Sequence, residues 1–143
     1  MFKNAPKEKL TQGKAAYGPF IVLPHPAGVE IAGMIGFDFV IIDMEHSSYH
    51  FETTENMTRA ARAVNITPIV RVPDKSQTNV LRALESGAMV VDVPLVGKAS
   101  DTEAIVYAAK YAPLGGRGFN LSSMGIRYGF VGGTGEALPR INA

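Results

Sequence analysis

Residues able to bind an anion and to transfer a proton follow two short apolar segments of this sequence. Asp43 and His46 come directly after the segment 39–42, and Arg71 closes the segment 68–71. A histidine can accept or donate a proton near neutral pH. An arginine can hold a carboxylate through two parallel N–H bonds. These residue types are therefore those of a site that binds an organic anion and moves a proton.

Each of these residues also has a simpler interpretation when it is taken singly. Asp43 could cap a turn, His46 could be a loop residue, and Arg71 could be a solvated strand end, because polar residues are normal where strands stop. Asp92, close to Pro94, lies on a further apolar segment. The carboxyl ends of parallel strands are where active sites collect. The coincidence of these residues at the ends of successive segments favours a functional site.

Two other patterns give weaker chemical signals. His46 and His50 stand four apart, as in some metal sites, but they precede the next helical pattern and do not match HExxH. Loop histidines without a metal are the more common case. Lys75 could form a Schiff base, although its neighbours Asp74 and Ser76 are typical of a solvent-exposed helix start.

The elements that must position these residues alternate along the chain. The predicted strands cover 20–23, 39–42, 68–71 and 89–96, and the predicted helices cover 29–35, 51–64, a segment around 80–84, and 100–111. Their continuous apolar strands and β-α alternation predict a parallel α/β fold. At the start of the fourth predicted helix, Ser100 and Glu103 have the spacing of a capping box. Gly36 is expected to end the first helix.

We predict one domain with a lead-in at 1–18, four βα units at 19–112, and a glycine-rich loop or tail at 113–143. A (β/α)8 TIM barrel needs eight such units and about 250 residues, so four units correspond to half of one. The glycine-rich runs at 115–118 and 132–135 match neither a Walker loop nor a dinucleotide fingerprint, and they are typical of flexible turns.

Composition excludes several classes of protein. The 143 residues carry a formal net charge of +1 with no long charged run, which does not favour a nucleic-acid surface. No apolar stretch approaches the roughly 20 residues needed to span a bilayer, so we expect no membrane partner. The sequence has no cysteine, and this excludes disulfides and thiolate metal sites. Without a recognisable secretion signal at the start, we expect a cytoplasmic protein.

Five motifs occur in a fixed order in this chain. They are GFDFVIIDMEH at 36–46, PIVRVP at 68–73, LRALESGA at 81–88, VPLV at 93–96 and AAKYAPLGGRG at 108–118. With these motifs the sequence, from about Phe2 to Arg140, resembles the HpcH/HpaI aldolase family, which includes 4-hydroxy-2-oxoheptanedioate and 2-dehydro-3-deoxyglucarate aldolases. The resemblance implies a (β/α)8 barrel and a metal-dependent class II lyase that cleaves 2-keto-4-hydroxy acids into pyruvate and an aldehyde.

The resemblance also implies roles for particular residues. His46 would be the acid/base that acts on the aldol hydroxyl, and Arg71 would bind the substrate through its keto oxygen. Glu85 would be the acidic partner of the histidine, at a position where the family usually has aspartate. The divalent metal would be Mg, Mn or Co, which suit oxygen-rich sites. The family's two metal-ligating carboxylates come from segments with no counterpart here, so we expect those ligands beyond Ala143 and none in this chain.

Three further expectations and two rival functions follow from this resemblance. The partners would be small 2-keto acids and aldehydes, the protein would be a homo-oligomer (hexamer-like in the family), and the 143-residue chain alone would be inactive. One rival is a non-catalytic half-barrel that serves as an assembly module. The other is a citrate-lyase-β-like lyase that acts on CoA thioesters and shares the barrel type.

Overall fold

The computed structural model of the chain describes residues 4–130 and 134–142. The strands are β1 (Phe20–Ile21), β2 (Phe39–Asp43), β3 (Thr67–Arg71) and β4 (Val90–Asp92). The helices are α1 (Ala5–Thr11), α2 (Pro26–Met34), α3 (Phe51–Ala63), α4 (Gln77–Glu85), α5 (Ala99–Ala109), a 3-10 helix (Met124–Gly129) and α6 (Thr134–Asn142). Residues 1–3 of the predicted lead-in, and 131–133 and 143 of the predicted tail, lie outside the described residues.

The four strands form one parallel sheet in the order β1-β2-β3-β4. A helix connects each strand to the next one, and right-handed crossovers place such helices on one face of the sheet. The predicted parallel α/β fold is therefore confirmed, and the sheet has the strand order of four consecutive units of a (β/α)8 barrel.

The core lies between β2 and β3 on one side and the helix layer on the other. Alternate strand residues face the helices, so that Val40, Ile42 and Val70 are fully buried. They pack against the apolar faces of α2, α3 and α4. The remaining strand residues point to the opposite face, where Ile41 and Ile69 are directly paired and only half-buried. This second face carries the polar residues that end the strands.

Local sequence explains where α4 begins and ends. The hydroxyl of Ser76 accepts a hydrogen bond from the backbone N–H of Asn79 at 3.3 Å and so caps the first turn. Gly87, with φ +100°, follows the helix and lets the chain turn back toward β4. Gly36 ends α2 in the same way with φ +95°, as the sequence predicts.

Two predicted strands are shorter than expected. β1 stops at Ile21 and does not reach Leu23, because Pro24 and Pro26 follow closely and cannot donate to a ladder. β4 covers only Val90–Asp92 of the predicted 89–96. Pro94 lacks an N–H, and Leu95 has a φ of +57°, which no extended strand allows.

The predicted capping box at Ser100 is wrong. α5 begins at Ala99, its N-cap is Lys98, and no side chain caps it. The carboxylate of Asp101 accepts instead from the backbone N–H of Gly97 at 3.1 Å and pairs with Lys75 at 3.0 Å. Asp101, in the first turn of α5, is thus bound by a residue from before the helix and by a lysine from a distant part of the chain.

The two ends of the chain contain more helix than the sequence indicates. α1 lies in the predicted lead-in, and α6 lies in the predicted glycine-rich tail. α6 is joined to the end of α5 through Asn142, whose side-chain amide exchanges two hydrogen bonds of 2.8 and 3.0 Å with the backbone of Tyr111. Within residues 4–130 and 134–142, none of the helices has the length and apolar character that crossing a bilayer requires.

Candidate active site

Three charged residues form a row across the carboxyl ends of three strands. Asp43 of β2 is the register partner of Arg71 of β3, and Arg71 is the register partner of Asp92 of β4. Directly opposed residues of neighbouring strands project on the same face of the sheet. Asp43, Arg71 and Asp92 therefore share the face that points away from the packed helices.

Arg71 and Asp43 form a two-point ion pair. Arg71 donates from Nε to Asp43 Oδ1 at 2.9 Å and from Nη2 to Oδ2 at 2.5 Å. The side chain of Asp43 is only 2% exposed. Its Oδ1 also accepts from the backbone N–H groups of Glu45 at 3.0 Å and His46 at 3.3 Å. Asp43 therefore fixes both the guanidinium and the loop that carries the histidine.

The electrostatics of this pair favour its charged form. The hydrogen bonds from Arg71 hold the pKa of Asp43 below its usual value, and the backbone N–H groups add to this effect while burial opposes it. The same side-chain hydrogen bonds raise the pKa of Arg71. The pair consequently stays ionised at neutral pH.

Glu45 lies between the arginine and the histidine. Its Oε2 is 3.2 Å from Arg71 Nη1 and 3.6 Å from His46 Nε2. The Glu45 side chain is 18% exposed, whereas the His46 side chain is 67% exposed. One carboxylate oxygen is therefore shared by the guanidinium of Arg71 and the imidazole of His46.

An aromatic ring covers one face of the guanidinium. The central carbon of Arg71 lies 4.9 Å from the centroid of the Phe20 ring, within the range of a cation–π contact. Asp43, Glu45 and Phe20 thus hold Arg71 from three directions. An arginine fixed in this way is ready to bind an anion without first losing side-chain freedom.

Tyr49 ties the loop after β2 to β1. Its hydroxyl donates a 3.0 Å hydrogen bond to the carbonyl of Ile21, and the ring is buried. Burial raises the pKa of Tyr49 to about 12. This contact anchors the segment on which Glu45 and His46 are placed.

Glu85, the third predicted site residue, occupies a different part of the structure. It is the last residue of α4 and lines a surface cavity in the helix layer together with Glu52, Glu55 and Arg82. Across residues 4–130 and 134–142, no hydrogen bond or ion pair joins Glu85 to His46. Its assignment as the acidic partner of the histidine stays a prediction.

Among the described residues, Lys75 and His50 make no hydrogen bond or ion pair with Arg71. Lys75 forms the ion pair with Asp101 described above, and its side chain is 41% exposed. His50 occupies the N-cap position of α3 without making a cap hydrogen bond. Among the residues that the structure describes, no group of three or more histidine, aspartate or glutamate side chains could hold a metal ion. The carboxylate of Asp43 is already bound to Arg71, so this part of the chain does not fit a metal-ligand set.

Sequence reasoning placed the carboxylates of Asp43 and Glu45 at the same edge as His46 and Arg71, but it did not identify either one as a direct contact of Arg71. A partial signal for the Asp43–Arg71 contact existed in the sequence. The predicted strands end at Ile42 and Arg71, so they put Asp43 and Arg71 at the same edge, one residue away from the register in which β2 and β3 pair them. The position of Glu45 depends on the path of a loop, which no periodicity encodes.

Comparison with known proteins gives consistent matches. A family model described as HpcH/HpaI aldolase/citrate lyase matches residues 16–128. A 2-dehydro-3,6-dideoxy-6-sulfogluconate aldolase from Pseudomonas putida is 34% identical over 127 residues, which are 89% of this chain and 50% of that protein.

Solved structures show the same fold. An HpcH/HpaI aldolase from Desulfitobacterium hafniense DCB-2 matches with a TM-score of 0.87 and 31% identity, over 99% of this chain and 53% of that one. The citrate synthase SbnG matches with a TM-score of 0.77 and 36% identity, over 82% of this chain and 48% of that one. The chain spans about half the length of the curated relatives it matches, and the predicted partial TIM barrel is confirmed.

Proposed function

Because the chain belongs to the HpcH/HpaI aldolase/citrate lyase family, we propose that its protein is an aldolase acting on 2-keto-4-hydroxy acids. The products are pyruvate and an aldehyde, and the reverse condensation uses the same groups. One observation supports this function above all: Arg71 is fixed by Asp43 and Glu45, and the same Glu45 oxygen also contacts the exposed imidazole of His46. Anion binding and proton transfer are the two operations that aldol cleavage needs from side chains.

Arg71 binds the pyruvoyl part of the substrate in this proposal. Asp43 occupies Nε and one hydrogen of Nη2, and Glu45 contacts Nη1 at 3.2 Å. The donors toward substrate are therefore the second hydrogen of Nη2 and the Nη1 group once Glu45 has moved away. They bind the keto oxygen, on which negative charge develops as the enolate forms. A guanidinium that is already in place stabilises this charge without reorganisation at the moment of reaction.

His46 transfers the proton. The imidazole accepts the proton of the 4-hydroxyl group, directly or through water, while the C3–C4 bond breaks and its electron pair forms the pyruvate enolate. The aldehyde then leaves, and protonation of C3 yields pyruvate. The 67% exposure of the His46 side chain leaves its ring accessible to substrate and water.

We also propose that the whole protein uses a divalent metal, Mg, Mn or Co, which would act as a Lewis acid on the keto acid. The residues described in this chain do not fit such a site. They contribute anion binding and proton transfer, and the metal ligands would come from elsewhere in the protein.

Association is a further part of the proposal. β1 and β4 are the two edges of the described sheet, and apolar side chains next to them are exposed, including Leu23 at 72% and Leu95 at 81%. Unpaired strand edges and exposed apolar side chains favour contact with another unit. We propose that these strand edges and apolar side chains are covered in a complete barrel. We also propose that the protein forms a homo-oligomer in the cytoplasm.

The 36% identity to the citrate synthase SbnG favours a second candidate, a carbon–carbon bond reaction on citrate-type or CoA-thioester substrates. Assays that compare pyruvate release from 4-hydroxy-2-oxo acids with turnover of citrate and of CoA thioesters separate the two. We expect pyruvate release. Turnover of the citrate-type substrates alone would favour the second candidate, and no turnover by the full natural protein would favour a non-catalytic assembly module.

A further inference from the structure

The guanidinium of Arg71 makes two unequal kinds of contact with carboxylates. Asp43 binds it through Nε and Nη2 at 2.9 and 2.5 Å, and its carboxylate is almost fully buried. Glu45 contacts only Nη1, at 3.2 Å, and both side chains of this second pair are about one-fifth exposed. Two-point pairing is stronger than a single contact, and solvent screens the more exposed pair. The contact of Arg71 with Glu45 is therefore the weaker of the two and the one more easily broken by a competing anion.

The position of Glu45 gives it a second partner. The oxygen that faces Arg71 is also 3.6 Å from His46 Nε2. The charged groups around this carboxylate are Arg71 from β3 and His46 from its own loop, while Asp43 of β2 and Asp92 of β4 face Arg71. When Arg71 is taken by another anion, His46 is the cationic partner that remains within reach of Glu45.

We infer that Glu45 is a displaceable internal anion that couples substrate binding to the acid/base residue. In the free site it occupies the Nη1 of Arg71, the donor that a keto acid needs. Binding of the keto acid releases Glu45 toward His46, where a carboxylate stabilises the imidazole in the form that has taken up the proton. Glu45 is thus a positioning residue, and the inference rests on the proposed binding of a keto acid at Arg71.

Removing the charge of Glu45 should strengthen the binding of pyruvate. In Glu45→Gln the internal competitor is lost, and we expect pyruvate to bind about two- to five-fold more tightly, the size expected for a partly exposed ion pair. The measurement is an NMR titration with pyruvate as the probe, which follows the Arg71 Nε–H signal of the ¹⁵N-labelled protein. Glu103→Gln, an exposed residue of α5, makes the same charge change as a matched control and should leave the affinity unchanged.

Steady-state kinetics distinguish the positioning role of Glu45 from a general distortion of the site by the substitution. Glu45→Gln in the full natural protein should lower KM and kcat together, because the competitor and the support for His46 are both removed. A misfolded or distorted site would raise KM instead. Pyruvate affinity that is unchanged or weaker in Glu45→Gln would overturn the inference. Absence of pyruvate binding at Arg71 in the unsubstituted protein would instead refute the proposed function on which it rests.

Discussion

Asp43 and Arg71 face each other across β2 and β3 and are joined by two hydrogen bonds, with the carboxylate buried at the end of its strand. This relationship connects the fold to the site. The parallel register places the two residues side by side, and the same carboxylate binds the backbone of the loop that carries His46. Stability and the proposed function are therefore both expected to depend on this pair.

Asp43→Asn should destabilise the protein by about 2 kcal/mol at neutral pH, because the guanidinium loses a buried charged partner. The folded-state pKa of Asp43 is lowered, so its contribution is present above the unfolded-state pKa and is lost as pH falls through the folded-state value. Urea unfolding at several pH values should show the difference between the two proteins shrinking in acid. Glu103→Gln should show no such dependence, and an equal loss at all pH values would contradict the assigned pair.

His46→Ala should lower the rate of aldol cleavage by about 100-fold, the usual effect of removing a general acid/base. The side chain is mostly exposed, so the free energy of unfolding should hardly change. His50→Ala is the matched control, since that exposed histidine begins α3 and makes no cap bond. Steady-state kinetics and thermal unfolding of the three proteins check this, and near-normal turnover by His46→Ala would remove the residue from the mechanism.

The sequence predicted those features that depend on regular patterns. Apolar segments bounded by proline and glycine predicted β2 and β3. The ends of these strands then placed Asp43, His46 and Arg71 at the carboxyl edge of the sheet. The sequence allowed a short helix within the glycine-rich segment 113–143 but did not give the bounds of α6, because the Asn142–Tyr111 contact joins residues far apart in the chain. For the same reason it missed the Lys75–Asp101 ion pair at the first turn of α5. Hydrophobic periodicity does not predict the contacts that loops and distant elements make.

Glu85 can be tested through the pH dependence of the reaction. If it supports His46, as the family resemblance implies, both Glu85→Asp and Glu85→Gln should shift the pH–rate profile. The measurement is the pH dependence of kcat/KM, with Glu52→Gln as a control from the same cavity. A profile that neither Glu85 substitution changes would show that Glu85 only lines the cavity between the helices.

Tyr49 should limit stability in alkaline solution. The pKa of Tyr49 is raised to about 12 in the folded protein. The neutral phenol therefore contributes fully to the free energy of unfolding below the pKa of the unfolded state, and this contribution is lost as pH rises through the pKa of the folded state. Tyr49→Phe should cost about 1 kcal/mol at neutral pH through loss of the bond to Ile21. It should also remove part of the decline in stability above the ordinary tyrosine pKa. Urea unfolding across that alkaline range is the check, and an unchanged decline would show that the hydroxyl is not buried.

The most direct test of the central proposal compares pyruvate release from 4-hydroxy-2-oxopentanoate by the full natural protein and by its Arg71→Lys variant, with Mg²⁺ present. Lysine keeps the charge but cannot reproduce the planar contacts with Asp43, Glu45 and substrate. We expect steady release by the natural protein and a loss of about 100-fold in the variant, the scale of a lost donor to a developing oxyanion. Equal release by both proteins, or none by the natural protein, would contradict the assignment of Arg71 as the anion-binding residue of an aldolase.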